Sequence, residues 1–153
     1  MKIQISEKLK AITQAYLALA DGNNAFNFQV SGVDGFRNLI EQRNLVVEDL
    51  DVLGADLIAT LNQNFQGHGF PCGNLTEAIL AVSILLPELG NDCDAVKDAL
   101  RELVESDVRV ETDLSKLRED LKLEIGRVRQ GARGLRGYRQ TETFGSCFIN
   151  KVK

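Results

Sequence analysis

The chain has 153 residues, 44% of them apolar and 26% charged, with two prolines and no tryptophan. That length predicts a single domain (residues 1–153) with room for one core. The three cysteines, Cys72, Cys93 and Cys147, are odd in number and lack paired spacing, which argues against a disulfide framework. The N-terminus carries no apolar signal core and no stretch approaches about 20 apolar residues, so the expectation is a reduced, cytoplasmic protein without membrane insertion. A net charge of −4 hides an asymmetry: residues 1–125 carry 11 Lys+Arg against 21 Asp+Glu, whereas residues 126–153 carry 7 against 1. The body is acidic and the end basic.

In chain order, Ile5, Leu9, Ile12, Tyr16 and Leu19 fall on one helical stripe and predict an amphipathic helix over residues 3–20. Asp21-Gly22-Asn23-Asn24 reads as a break. The stripe resumes at Phe26, Val30 and Val33, which allows the helix to continue past a weak point. Alternation of Phe26, Phe28 and Val30 is the competing strand template, and helix is preferred because no second strand is visible to pair with it. Ser31 to Gly35 reads as a turn, and Asp34 opens a second helix carrying Phe36, Leu39, Ile40, Val47, Leu50, Leu57 and Leu61. Arg43 lies inside that apolar stripe. Asn64 to Gly73 is a glycine-rich loop. Asn74-Leu75-Thr76-Glu77 has capping-box spacing and starts a short apolar helix through Ile79, Val82, Leu85 and Leu86, closed by Pro87 and Gly90.

The dominant pattern runs from Asp94 to Tyr138. One heptad series is Leu100, Asp107, Leu114, Leu121, Val128 and Leu135; the other is Val96, Leu103, Val110, Leu117, Glu124, Gly131 and Tyr138. Spacing of four and three keeps these residues on one stripe of a helix, with Asp92 or Asp94 placed to cap its start. Such a helix is about 68 Å long at about 1.5 Å per residue and needs partners to cover its stripe. Beyond Tyr138 the pattern stops, and residues 139–153 read as a flexible or partner-ordered tail with apolar points at Phe144, Phe148 and Ile149. The fold expectation is all-α: an elongated antiparallel helical bundle of three to four helices with a long C-terminal helix.

Few residues carry chemistry. His68, Cys72 and Cys93 could in principle hold a metal, but one histidine and no Cys-x-x-Cys pair make an exposed loop the simpler reading. The glycines at 67, 69 and 73 do not form a phosphate loop. Asp107 and Glu124 lack the Glu-x-x-His partners of a di-metal site and read as solvent-facing or register-setting polar positions. No enzyme signature, cofactor or metal is expected. Arg127, Arg129, Arg133, Arg136 and Arg139 form a basic cluster able to contact phosphate, although cations near a helix C-terminus are also favoured by the helix dipole. The alternatives to a partner-binding helical protein are therefore a nucleic-acid-binding helical protein and a structural coiled-coil dimer, in either monomeric or homodimeric form.

The order of these signals resembles the flagellar export chaperones of the FlgN/FliT type. Gly32-Val33-Asp34-Gly35-Phe36-Arg37-Asn38-Leu39-Ile40-Glu41-Gln42-Arg43-Asn44-Leu45 is similar to the small-residue turn and helix that follow the first region of that family. Leu103 to Asp107, followed by Leu114, Leu117 and Leu121, resembles its long last helix. Gly131 to Tyr138 resembles its basic stretch with a late tyrosine, and Phe148-Ile149-Asn150-Lys151 its aromatic-Ile-Asp-Lys ending, with Asn for Asp. The Phe70-Pro71-Cys72 loop and the apolar helix at residues 79–86 depart from the pattern. The resemblance implies a cytoplasmic, noncatalytic chaperone that binds late flagellar subunits of the hook-associated or filament-cap type and delivers them to the export gate. It also implies that the C-terminal region, with Tyr138 at the matching position, contributes to docking on the export machinery. An incompletely covered apolar stripe accepting a partner helix is the physical form of such binding. The candidate partner-binding residues are Leu121, Ile125, Val128, Leu135 and Tyr138, which lie past the reach of the shorter helices.

Overall fold

Among the described residues, four α-helices and one 3-10 turn make up the fold: α1 (Lys2–Ala25), α2 (Phe28–Asn64), α3 (Leu75–Leu85), the turn Pro87–Leu89 and α4 (Gly90–Val152). The computed structural model describes residues 1–67 and 72–152, with side chains described through Arg136. Among the described residues there is no strand. The all-α bundle expected from the stripes is what forms. The chain divides into two compact units, Met1–Glu111 and Thr112–Lys153. No helix of the described residues is long and apolar enough to cross a membrane.

In the first unit, α1 ends at Ala25 because Phe26 turns extended and Asn27 starts a new helix, its side chain accepting a hydrogen bond from the Gln29 amide at 3.0 Å. The apolar stripe of α1 therefore does not run on through Val30 and Val33, which are both exposed. Neither does α2 wait for Asp34. One helical turn precedes Gly32, whose φ of 63° and ψ of −159° belong to a region open essentially to glycine, and the helix then resumes in a new direction. Gly35 faces back onto that turn: a Cβ there would collide with the Ser31 side chain. Phe26, Phe28 and Phe36 close this corner, their ring centroids 5.7–6.4 Å apart in edge and tilted arrangements.

Contacts between helices give the chain direction. Lys8 pairs with Asp56 and Asn23 with Arg43, so α1 and α2 are antiparallel. Ser6 donates to Asp92 at 2.6 Å and Asn23 to Asp107 at 2.6 Å, so α4 returns alongside α1 in the same direction, opposite to α2. Asp92 is thus spent on a bond between helices inside the first turn of α4, which begins at Gly90, rather than on capping its start. Asn74 caps α3 by accepting from the Glu77 amide at 2.9 Å, and the Glu77 carboxylate reaches back to the Gly73 amide at 2.7 Å. This is a capping box displaced by one residue. Leu75 packs beside buried Gly54 of α2, and Ile79 lies against Cys93 of α4. At the far end of this segment Glu88 pairs with Lys2, so α3 runs down the α2–α4 flank toward the start of α1.

The core lies where all four helices meet. Ile5, Leu9, Ile12, Leu57, Val82, Cys93 and Val96 are fully buried, joined by Leu19, Leu50, Leu61, Ile79, Leu86 and Leu103. Burying a side chain of this kind contributes about 1.5–3 kcal/mol. The α1 stripe read from the sequence is this core, with Tyr16 half-buried at its edge.

Candidate functional site

Two features of the first unit decide which of its surfaces are closed. Past the apolar core, three helices are tied by a polar knot. Buried Asn23 donates to the Ser106 hydroxyl at 3.0 Å and to Asp107 at 2.6 Å; Arg43 holds Asp107 at 2.8–2.9 Å and donates to the Asn23 side-chain Oδ1 at 3.4 Å. Ser106 in turn donates to the Leu103 carbonyl at 2.8 Å. Among the described residues no buried side-chain polar atom lacks a partner. Asn23 looked like part of a helix-breaking run and Arg43 and Asp107 like interruptions of two stripes; together they are one charge-assisted network. It fixes the register of α1, α2 and α4 and has the form of a structural device rather than a catalytic one.

The second feature is the extent of α3. On α2, residues Ile40, Val47, Gly54 and Leu61 follow one line at heptad spacing, and on α4 Cys93 and Leu100 follow another. Gly54, Leu61 and Cys93 are buried where α3 packs. Beyond the first residue of α3 the same lines come to the surface: Ile40, Val47 and Leu100 are exposed, as are Val104 and Val108 next to them on α4. Spacing alone does not reveal this apolar strip. Periodicity marked Ile40, Val47 and Leu100 as core, and the shortness of α3 leaves them partly uncovered.

In the second unit the described side chains lie on one helix. Leu114 and Leu117 are half-buried, and Leu121, Ile125, Val128 and Leu135 are 49, 51, 70 and 65% exposed. All four stand on one stripe at three- and four-residue spacing. Arg127, Arg129, Arg133 and Arg136 are exposed around it, and no acidic residue occurs between Ile125 and Arg136. Tyr138, the fifth candidate, has its side chain outside the described residues, as do Phe144, Phe148 and Ile149; the backbone of residues 139–152 continues α4. Leu123 is also exposed but lies off the stripe.

Among the described residues no group of three His, Cys, Asp or Glu side chains is placed to hold a metal. His68 lies outside the described residues. Cys72 and Cys93 are both buried. Burial pushes both thiols up from their ordinary range, reinforced at Cys72 by the Glu77 carboxylate, which favours the neutral form of each. Tyr16 is likewise raised by burial.

No family model, curated protein or solved structure in the comparisons matches this chain.

Proposed function

We propose that this protein is a noncatalytic helical chaperone or adaptor of the cytoplasm whose partners are late flagellar subunits of the hook-associated or filament-cap type, held for delivery to the export machinery. The observation that carries the reading is the stripe Leu121–Ile125–Val128–Leu135, an ordered row of aliphatic side chains between 49 and 70% exposed. Leaving such a row exposed forgoes burial of about 25 cal/mol per Å² of apolar surface, a gain that an amphipathic partner helix restores. The flagellar assignment rests on the resemblance at Gly32–Leu45, Leu103–Leu121, Gly131–Tyr138 and Phe148–Lys151. Tyr138 is assigned to docking on the export machinery on the same ground.

The test is capture of partners from the source cell on immobilised full-length protein, followed by titration with purified hook-associated and filament-cap subunits and their C-terminal fragments. The proposal expects saturable binding of at least one of them, weakened by Val128→Ser and Leu135→Ser. Absence of binding to every such subunit and fragment overturns it.

A further inference from the structure

The apolar stripe of the second unit is accompanied by a division of charge along its own length. From Glu111 to Glu124 the helix carries five acidic residues, Glu111, Asp113, Glu119, Asp120 and Glu124, against Lys116, Arg118 and Lys122. From Ile125 to Arg136 it carries Arg127, Arg129, Arg133 and Arg136 and no acid. With Leu114, Leu121, Val128 and Leu135 at heptad position a and Leu117, Glu124 and Gly131 at d, Asp120 and Arg127 both fall at position g, flanking the seam. Both side chains are exposed.

We infer that two copies of this chain pair antiparallel through residues 112–133, the Asp120 carboxylate of each facing the Arg127 guanidinium of the other. A parallel pair in register sets Glu124 against Glu124 in a seam layer and brings the arginine stretch alongside its own copy, within the screening length of about 8 Å. Its one compensation is Asp113 beside Arg118. The antiparallel pair relieves both conflicts. In the register centred between Lys122 and Leu123, Leu117 meets Val128 of the second copy, Leu114 fills the space over Gly131, and Leu121 lies against the stem of Glu124. The g positions of antiparallel helices then face each other, so the Asp120–Arg127 pair forms twice. This arrangement is isologous and closes at two copies, giving a dimer rather than a filament. It stands on the second unit's own residues and does not depend on the flagellar reading; a partner helix that binds the stripe competes with the second copy for it.

The experiment is sedimentation equilibrium of the full chain at low ionic strength over a wide concentration range, for the parent and three variants: Asp120→Arg, Arg127→Asp and the double exchange. Circular dichroism on each confirms that helix content is kept. The parent is expected to dimerise. Each single exchange turns two attractive pairs into two repulsive ones and weakens the dimer by about fivefold or more, from the usual worth of exposed ion pairs. The double exchange restores parent affinity within about twofold, because only the antiparallel register brings these two positions together. A seam variant, Leu117→Ser with Leu121→Ser, dissociates the dimer regardless of charge. A parent that stays monomeric at every concentration overturns the inference. So does a dimer indifferent to the single exchanges, or one the double exchange fails to restore.

Discussion

α4 presents the same heptad in two settings. Between Gly90 and Glu111 its apolar line, Cys93, Val96, Ala99 and Leu103, is buried under α1, α2 and α3. Between Thr112 and Arg136 the line continues as Leu121, Ile125, Val128 and Leu135 and stays exposed. Nothing in the local pattern distinguishes the two. A heptad specifies a face that gains by being covered; what covers it is decided by residues far away in sequence or in another molecule. The first stretch therefore carries stability, and partner binding is what we propose for the second.

The largest expected effect breaks this comparison from the core side. Leu57→Ala or Ile12→Ala removes a fully buried side chain and should cost about 2–5 kcal/mol. Val128→Ala or Leu135→Ala should cost under about 0.5 kcal/mol in the monomer. Urea unfolding of the four variants at concentrations too low for self-association measures the contrast. If the two pairs cost the same, the second unit's stripe is core and its assignment to binding falls.

Next in size are the polar and conformational fixtures of the first unit. Asn23→Ala leaves Asp107 and the Ser106 hydroxyl short of a partner and should cost roughly 1–3 kcal/mol. Gly32→Ala forces a side chain into φ 63°, ψ −159° and should cost roughly 1–3 kcal/mol as well. Thermal melts decide both, and a change in neither midpoint would mean that knot and corner are ornaments on a fold set by apolar packing alone.

The smallest effect is a pH dependence. The thiols of Cys72 and Cys93 and the Tyr16 phenol all have raised pKa values in the folded chain, principally through burial. The folded state therefore holds these protons when the unfolded state has already lost them. Their contribution to stability is full below the unfolded values and is lost as pH rises through the folded ones. Stability should be flat through neutrality and decline at alkaline pH, less steeply in Cys93→Ala, where one of the groups is gone. Alkylation followed by peptide mass analysis should find Cys72 and Cys93 slow to react until the chain unfolds.

The sequence made the elements readable wherever a local rule acted alone. The α1 stripe, the Asn74 cap with Glu77 and the closure at Pro87 follow from spacing, hydrogen-bond valence and a missing amide proton. What it concealed is what long-range pairing decides. Arg43 and Asp107 were visible as flaws in two stripes, but their being one ion pair depends on the antiparallel packing of α2 and α4. Asn23 carried a turn signal because its side chain competes for backbone hydrogen bonds, and packing against α4 put that side chain to another use. Ile40, Val47 and Leu100 had the spacing of core residues, yet α3 is too short to reach their level. For the candidate site, the positions of Leu121, Ile125, Val128 and Leu135 could be read from periodicity, whereas their exposure depends on the absence of a cover, which no spacing reveals.

The central claim is that this exposed stripe binds a partner helix while contributing nothing to the fold of the first unit. Isothermal titration of a hook-associated or filament-cap C-terminal fragment into the parent chain and into Leu121→Ser/Val128→Ser tests it most directly, with a melt of each protein alongside. The account predicts saturable binding to the parent and a loss of at least tenfold in the variant, as expected from removing about 1.4 kcal/mol or more of contact, with first-unit melting unchanged. Equal binding by parent and variant, or a variant that loses binding only because its first unit has unfolded, would contradict it.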